Sequence, residues 1–146
     1  MDEVRRISWD EFEELINNLA EQIKASGIKP RFIYGIHRGG VIPSVMLSHR
    51  LNGVPLIDKP DTSFVLFVDD IADEGKSLTY YSSKSDCFTT ATLFVRRGSG
   101  FVPDFFAEEV DKDTWVAFPW ECDDNRAKDI SSHNACSKKR LKEREI

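Results

Sequence analysis

Trp9, Phe12, Leu15, Ile16, Leu19 and Ile23 recur at three- and four-residue spacing, a helical period that runs until Gly27. Ser8 followed by Glu11 makes a capping box, which places the start of this helix directly after Ser8. The stripe is a packing face and implies no chemistry. Beyond it the period changes. Residues 31–36 and 87–95 are short stretches rich in aromatic and β-branched residues, and Phe64, Val65, Leu66, Phe67 and Val68 are five apolar residues in succession. An unbroken apolar run of that length describes a strand covered on both faces, as inside a parallel sheet. Residues 45–51 read as a second helix that stops near Gly53, and residues 77–81 as the start of a third. Residues 55–57 and 103–110 read as further short strands. Strands alternating with helices predict an α/β domain with a mostly parallel sheet flanked by helices.

Two carboxylates, Asp69 and Asp70, arrive where the apolar run stops. In an open α/β sheet ligands bind beyond the carboxyl ends of the strands, so this acidic pair is expected to face a crevice. The loop that follows carries Asp73, Glu74, Gly75, Lys76 and Ser77 ahead of a helix. Unpaired backbone N–H groups at a helix start, with a glycine allowing close approach, suit a phosphate. Vicinal carboxylates beside such a cradle suit the two hydroxyls of a ribose with a divalent cation between them. The same residues also satisfy an ordinary strand, turn and capped helix. Earlier in the chain, His37, Arg38, Gly39 and Gly40 follow the first predicted strand and precede a helix. This is a second anion-binding arrangement, with an arginine in it.

Phe64 to Ser77 resembles the phosphoribosyl-pyrophosphate (PRPP) motif of the type I phosphoribosyltransferases: apolar strand, acidic pair, two apolar residues, Asp, a small polar position, Gly, any residue, then Ser or Thr. Glu74 stands where that family usually has Thr. Either its side chain turns outward while its N–H still serves, or phosphate affinity is weakened. The stretch Asp113, Thr114, Trp115 through Pro119, Trp120 and Glu121 is similar to the base-binding segment of bacterial xanthine-guanine phosphoribosyltransferases. The intervals from Asp69 to Arg96 and on to Trp115 also suit that subgroup. Read without the resemblance, Trp115 and Trp120 are equally ordinary core aromatics.

The resemblance implies a role for each site residue. Arg38, Gly39 and Gly40 would bind the diphosphate, the glycines by donating backbone N–H groups, with a cis peptide between His37 and Arg38. Asp69 and Asp70 would hold the ribose hydroxyls, and Glu74, Gly75, Lys76 and Ser77 would take the 5-phosphate. Asp73 would be the catalytic proton acceptor. Trp115 would stack on the purine and the Val116 carbonyl would accept from it. Arg96, in the place of a subgroup lysine, would donate to the 6-oxo oxygen. Mg²⁺ would be held by Asp70 and Glu121. The activity implied is transfer of a 5-phosphoribosyl group from PRPP to guanine, xanthine or hypoxanthine, in purine salvage, with subunits that commonly pair. The alternative is a regulatory protein of the same fold that binds PRPP or a nucleotide and catalyses weakly. The short link over residues 54–64 favours that alternative, because catalytic members carry a longer mobile lid there.

Composition narrows the rest. At 146 residues the chain fits one domain, expected over 1–121, followed by a polar tail over 122–146 whose last residues are nearly all charged. A net charge of −5 argues against a nucleic-acid partner. No apolar run approaches the ~20 residues that span a bilayer. Cys87, Cys122 and Cys136 are odd in number and scattered, which predicts reduced thiols in a cytoplasmic protein. With His133 they match no usual zinc spacing.

Overall fold

A computed structural model of the chain describes residues 3–84 and 88–121. The charged tail and all three cysteines lie outside the described residues. The chain divides into two compact units, Glu13–Asp111 and the described parts of residues 1–12 and 112–146.

The larger unit is built on a four-stranded sheet in the order β2 (Phe32–Gly35), β3 (Val65–Ala72), β4 (Phe88–Arg96) and β5 (Phe105–Val110). Every pairing is parallel, Tyr34 lying beside Phe67 and Val68 beside Ala91. Val65 to Val68 are all buried, as the apolar run requires of a central strand. The run understates the strand, however. β3 continues through Asp69 and Asp70 to Ala72 because β4 is equally long and keeps pairing with it, Asp69 beside Thr92 and Ile71 beside Phe94. The acidic pair therefore sits within the strand tip rather than beyond it. Phe64, expected to lead the strand, is instead an exposed residue with φ 62°.

Helix α2 spans Val41–Arg50 and starts four residues earlier than its apolar pattern suggested. Pro43 does not delay it, since the first turn of a helix needs no N–H from that position. Asn52 and Gly53, both at positive φ, end it. Helix α3, Lys76–Ser82, begins at Gly75, whose φ of 80° only glycine adopts without cost. α2 and α3 lie on opposite faces of the sheet. Gly35 of β2 abuts Ser44 of α2, whereas its neighbour Tyr34 packs with Phe67 against Tyr81 of α3.

From β2 the chain first passes outward, where Leu56 bridges Ile33, and then returns to the other side of β2 as β3. The strand order thus reverses between β2 and β3. Such a reversal leaves a crevice at the carboxyl ends of the two strands, since the loops leaving them diverge.

Thr90 and Asp104 close the opposite end of the β4–β5 pair. The Asp104 carboxylate accepts from the Thr90 N–H at 2.8 Å and its hydroxyl at 3.1 Å, while the Asp104 N–H donates to the same hydroxyl at 3.0 Å. Asp104→Ala should therefore cost about 1.5–3 kcal/mol, the usual worth of hydrogen bonds to a charged group. A denaturant midpoint equal to that of the wild type would show that the two bonds to the carboxylate contribute nothing.

Helix α1, Trp9–Ser26, starts as its capping box predicts, the Glu11 N–H donating to Ser8 Oγ at 3.1 Å. Phe12, Ile16, Leu19 and Ile23 are buried, but Trp9 is 55 % exposed and Leu15 only half-buried, which narrows the stripe. In the smaller unit β1 (Glu3–Arg6) pairs in parallel with β6 (Thr114–Ala117), Val4 beside Trp115 and Arg5 beside Val116. Neither strand was evident from the pattern of apolar residues. Four residues are too few to show a period, and the charged β1 buries little. Trp120 packs with Phe118, Phe12 and Trp9 in an aromatic cluster, its ring 4.9 Å from that of Phe118 and nearly parallel to it. Trp115 is half-buried on β6, and its neighbour Val116 is buried.

Candidate active site

Two loops leave the crevice between β2 and β3, and each is shaped by what a side chain would strike. The first runs from Ile36 through the cis peptide His37–Arg38 to Gly40. A Cβ on Gly39 would enter the Asp70 carboxylate, and one on Gly40 would enter the Val68 carbonyl. Both glycines are thus required for this turn to lie against the tip of β3. The Gly40 N–H donates to the Ile36 carbonyl at 2.8 Å, which closes the turn. This corrects one part of the sequence reading. Gly40 serves the loop by lacking a side chain, because its N–H is already engaged. His37 and Arg38 are exposed at the head of the turn.

At the tip of β3, Asp69 Oδ1 accepts the Asp70 N–H at 2.9 Å and Asp70 Oδ1 accepts the Ile71 N–H at 2.8 Å. Burial, together with the adjacent Asp70 carboxylate, pushes Asp69 up to about 9; burial also raises Asp70. Two carboxylates this close hold a proton between them unless a cation replaces it. Mg²⁺ typically takes one or two carboxylates and completes its shell with substrate phosphates and water, so this pair fits it. Among the described residues no cluster of three or more His, Cys, Asp or Glu gathers to hold a metal by protein groups alone. Glu121, the other expected ligand, lies in the smaller unit, where its Oε1 accepts the Phe118 N–H at 3.0 Å.

A consequence for stability follows from the raised Asp69. Its contribution is fully present below the ordinary carboxylate range and is lost as pH rises toward 9, because the folded state retains a proton that the unfolded state releases. Asp69→Asn should remove that loss. Its melting temperature should exceed that of the metal-free wild type by about 5 °C or more at pH 8, with the gap closing toward pH 4. A constant difference between the two proteins across that range would disprove the assignment.

The second loop carries Asp73 to Ser77. Glu74, the residue that departs from the motif, is 69 % exposed and meets Lys76 Nζ at 2.9 Å. Hydrogen bonding to Lys76 lowers the proton affinity of Glu74, and the same contact raises Lys76. The carboxylate therefore carries its own counter-charge within the loop. The Gly75 carbonyl accepts the Thr79 N–H at 2.9 Å, which joins the loop to α3.

Arg96, at the end of β4, is 6 % exposed. Its Nε lies 3.0 Å from Asp73 Oδ1, an ion pair rather than an aligned hydrogen bond, and its Nη1 donates to the Asp111 carbonyl at 2.9 Å. Arg97 turns the other way, to Glu109 at 2.9 Å and Asp111 at 3.0 Å. Of the two arginines, Arg96 is the one that faces the loop. The larger unit contains Arg38, Gly39, Gly40, Asp69, Asp70, Asp73, Glu74, Gly75, Lys76, Ser77 and Arg96, with Gly39 against Asp70 and Arg96 against Asp73, while Trp115, Val116 and Glu121 belong to the smaller one. The sequence offered no role for Phe101, yet a Cβ on Gly75 would collide with it. Only a glycine-rich turn after β4 hinted at close approach there.

Comparison with known proteins bears on this arrangement. No family model matches the chain. A curated xanthine-guanine phosphoribosyltransferase from Cereibacter sphaeroides is 25 % identical over 142 residues, covering 79 % of this chain and 85 % of its own. The crystal structure of a purine phosphoribosyltransferase from Pyrococcus horikoshii is 28 % identical with a TM-score of 0.70, covering 82 % of this chain and 95 % of that one. The chain is similar in sequence and fold to these phosphoribosyltransferases. A xanthine-guanine-hypoxanthine phosphoribosyltransferase from Helicobacter pylori shares the fold at 20 % identity and a TM-score of 0.69, covering 92 % of this chain and 99 % of that one. These relatives are PRPP-dependent pentosyltransferases. A mostly parallel sheet flanked by helices is the architecture the sequence predicted.

Proposed function

We propose that this chain is a purine phosphoribosyltransferase that transfers a 5-phosphoribosyl group from PRPP to a 6-oxopurine in the cytoplasm. The observation that carries the reading is the seating of the Arg38–Gly40 turn directly on the Asp69–Asp70 strand tip. A cationic turn, an acidic pair and a phosphate loop at one switch point suit a sugar bearing a diphosphate at one end and a phosphate at the other. Arg38 is assigned to the diphosphate and the Gly75–Ser77 backbone to the 5-phosphate. Asp69 and Asp70 take the ribose hydroxyls. Trp115 is assigned to stack on the base, and Val116 to accept from it through its carbonyl.

In the reaction the bond from ribose C1 to diphosphate oxygen breaks, a bond from C1 to a ring nitrogen of the purine forms, and that nitrogen loses its proton. Asp73 is the group assigned to receive it. Asp70 and Glu121 are the residues assigned to Mg²⁺, which would supply charge neutralisation for the departing diphosphate. The protein's remaining task is positioning, since an oxocarbenium-like sugar needs little covalent help.

Ultraviolet difference spectra test this reading, using the purified full-length chain with PRPP, Mg²⁺ and guanine, xanthine, hypoxanthine or adenine in turn. A spectral change with the oxopurines and none with adenine is expected. Measurable PRPP binding without change for any base would instead select the regulatory alternative, which the short link over residues 54–64 favours.

A further inference from the structure

Resting on the reading above for its kinetic consequences, we propose that Arg96 and the turn it begins, residues 96–101, are a clasp that holds the Asp73–Lys76 loop in its working shape, with Arg96 as a positioning residue. Three features of the larger unit carry this. First, Arg96 is nearly all buried and is fastened at its other end to the main chain, Nη1 to the Asp111 carbonyl. An arginine pinned in this way presents a fixed cation, and the side chain it meets is the half-exposed Asp73, 46 % accessible. A guanidinium presents its donors in a rigid fork, whereas a lysine ammonium in the same place is a point charge on a flexible stem.

Second, the turn after Arg96 is itself tied down. Arg97 pairs with Glu109 and Asp111 on and beyond β5, and its N–H donates to the Val110 carbonyl at 2.8 Å. The Ser99 N–H returns to the Arg96 carbonyl at 2.9 Å. Ser99 Oγ donates to the Phe101 carbonyl at 2.8 Å and accepts the Phe101 N–H at 3.2 Å.

Third, the far end of this turn lies against the loop backbone. A Cβ on Gly75 would strike Phe101, and one on Gly100 would come within 2.7 Å of the Glu74 carbonyl. Glycines at both points let two main chains touch. The loop is therefore held by charge at Asp73 and by contact at Glu74 and Gly75. In a chain whose link over residues 54–64 is too short for a lid, a preformed loop supplies the order that closure provides elsewhere.

The test compares full-length wild type with Arg96→Gln and Arg96→Lys by amide hydrogen exchange and by steady-state kinetics. Exchange over residues 73–77 should rise about tenfold or more in Arg96→Gln, with Val65–Val68 unchanged, and Arg96→Lys should fall between. Exchange over 73–77 within about twofold of wild type in a folded Arg96→Gln would overturn the clasp. Should that variant not fold, Phe101→Ala decides by the same reading. In turnover, kcat should fall about 10- to 100-fold while KM for PRPP and for the base stays within about threefold. A raised KM for the base with kcat kept, or lost discrimination between hypoxanthine and adenine, would make Arg96 a base reader and overturn its positioning role. If the wild type turns over no base, the functional proposal fails while the exchange measurement still decides the clasp.

Discussion

Asp73→Asn should lower turnover about 100-fold or more while leaving PRPP affinity within about threefold. The substitution keeps the size of the side chain; it removes the charge that Arg96 Nε meets at 3.0 Å, while the contacts of Phe101 with Gly75 and of Gly100 with Glu74 still hold the rest of the loop. What disappears is the basicity required to take a proton from the purine, a loss felt only as the new bond forms. Arg38, assigned to the diphosphate, and Asp69 and Asp70, assigned to the ribose hydroxyls, are untouched, since they lie after β2 and on β3. Titration calorimetry with PRPP and Mg²⁺, set beside initial rates with a 6-oxopurine, separates the two quantities. Equal losses in both would remove Asp73 from the proton-accepting role.

Gly40→Ala should cost about 3 kcal/mol or more and lower the melting temperature by about 10 °C. Gly40 has φ −82° and ψ −9°, a conformation open to any residue, so backbone freedom is not the issue. Space is. A Cβ there would strike the Val68 carbonyl and come within 2.9 Å of the Ile36 backbone, and main-chain atoms cannot rotate aside as a side chain can. Opening the turn would also break its bond from the Gly40 N–H to the Ile36 carbonyl and strain the one from Ile36 N–H to Val68. Gly39→Ala is the contrasting case. Its Cβ meets the Asp70 carboxylate, a side chain that can yield, so the protein should remain folded and lose PRPP affinity by about tenfold. Thermal melts and PRPP titrations of the two variants check the pair, and a wild-type melting temperature for Gly40→Ala would refute the packing argument.

Much of the fold was legible in the chain because its parts are local. An apolar run ending in two acids reads as a covered strand, as Val65–Val68 are, and a glycine ahead of a helix reads as a tight turn, as Gly75 is. The α1 capping box and the stop at Gly53 were readable for the same reason, since a cap or a turn is decided within four residues. Boundaries were less secure. β3 runs four residues past its apolar core because β4 keeps pairing with it, and no single strand records the length of its neighbour. β1 was invisible because four largely exposed residues have no period, and only β6 gives them a reason to be extended.

Local order in the residues thus determined which groups this protein offers: an arginine turn, an acidic strand tip, a phosphate loop and an aromatic segment near Trp115. Tertiary structure alone decided how the groups of the larger unit engage one another. Which glycines need to be glycines at Asp70 and Val68, that Glu74 is answered by Lys76, and that Arg96 rather than Arg97 faces Asp73 all depend on contacts that chain separation hides. The physical reason is that charge and steric exclusion act over a few ångströms of space, and proximity in space is created by strand pairing rather than by position along the backbone.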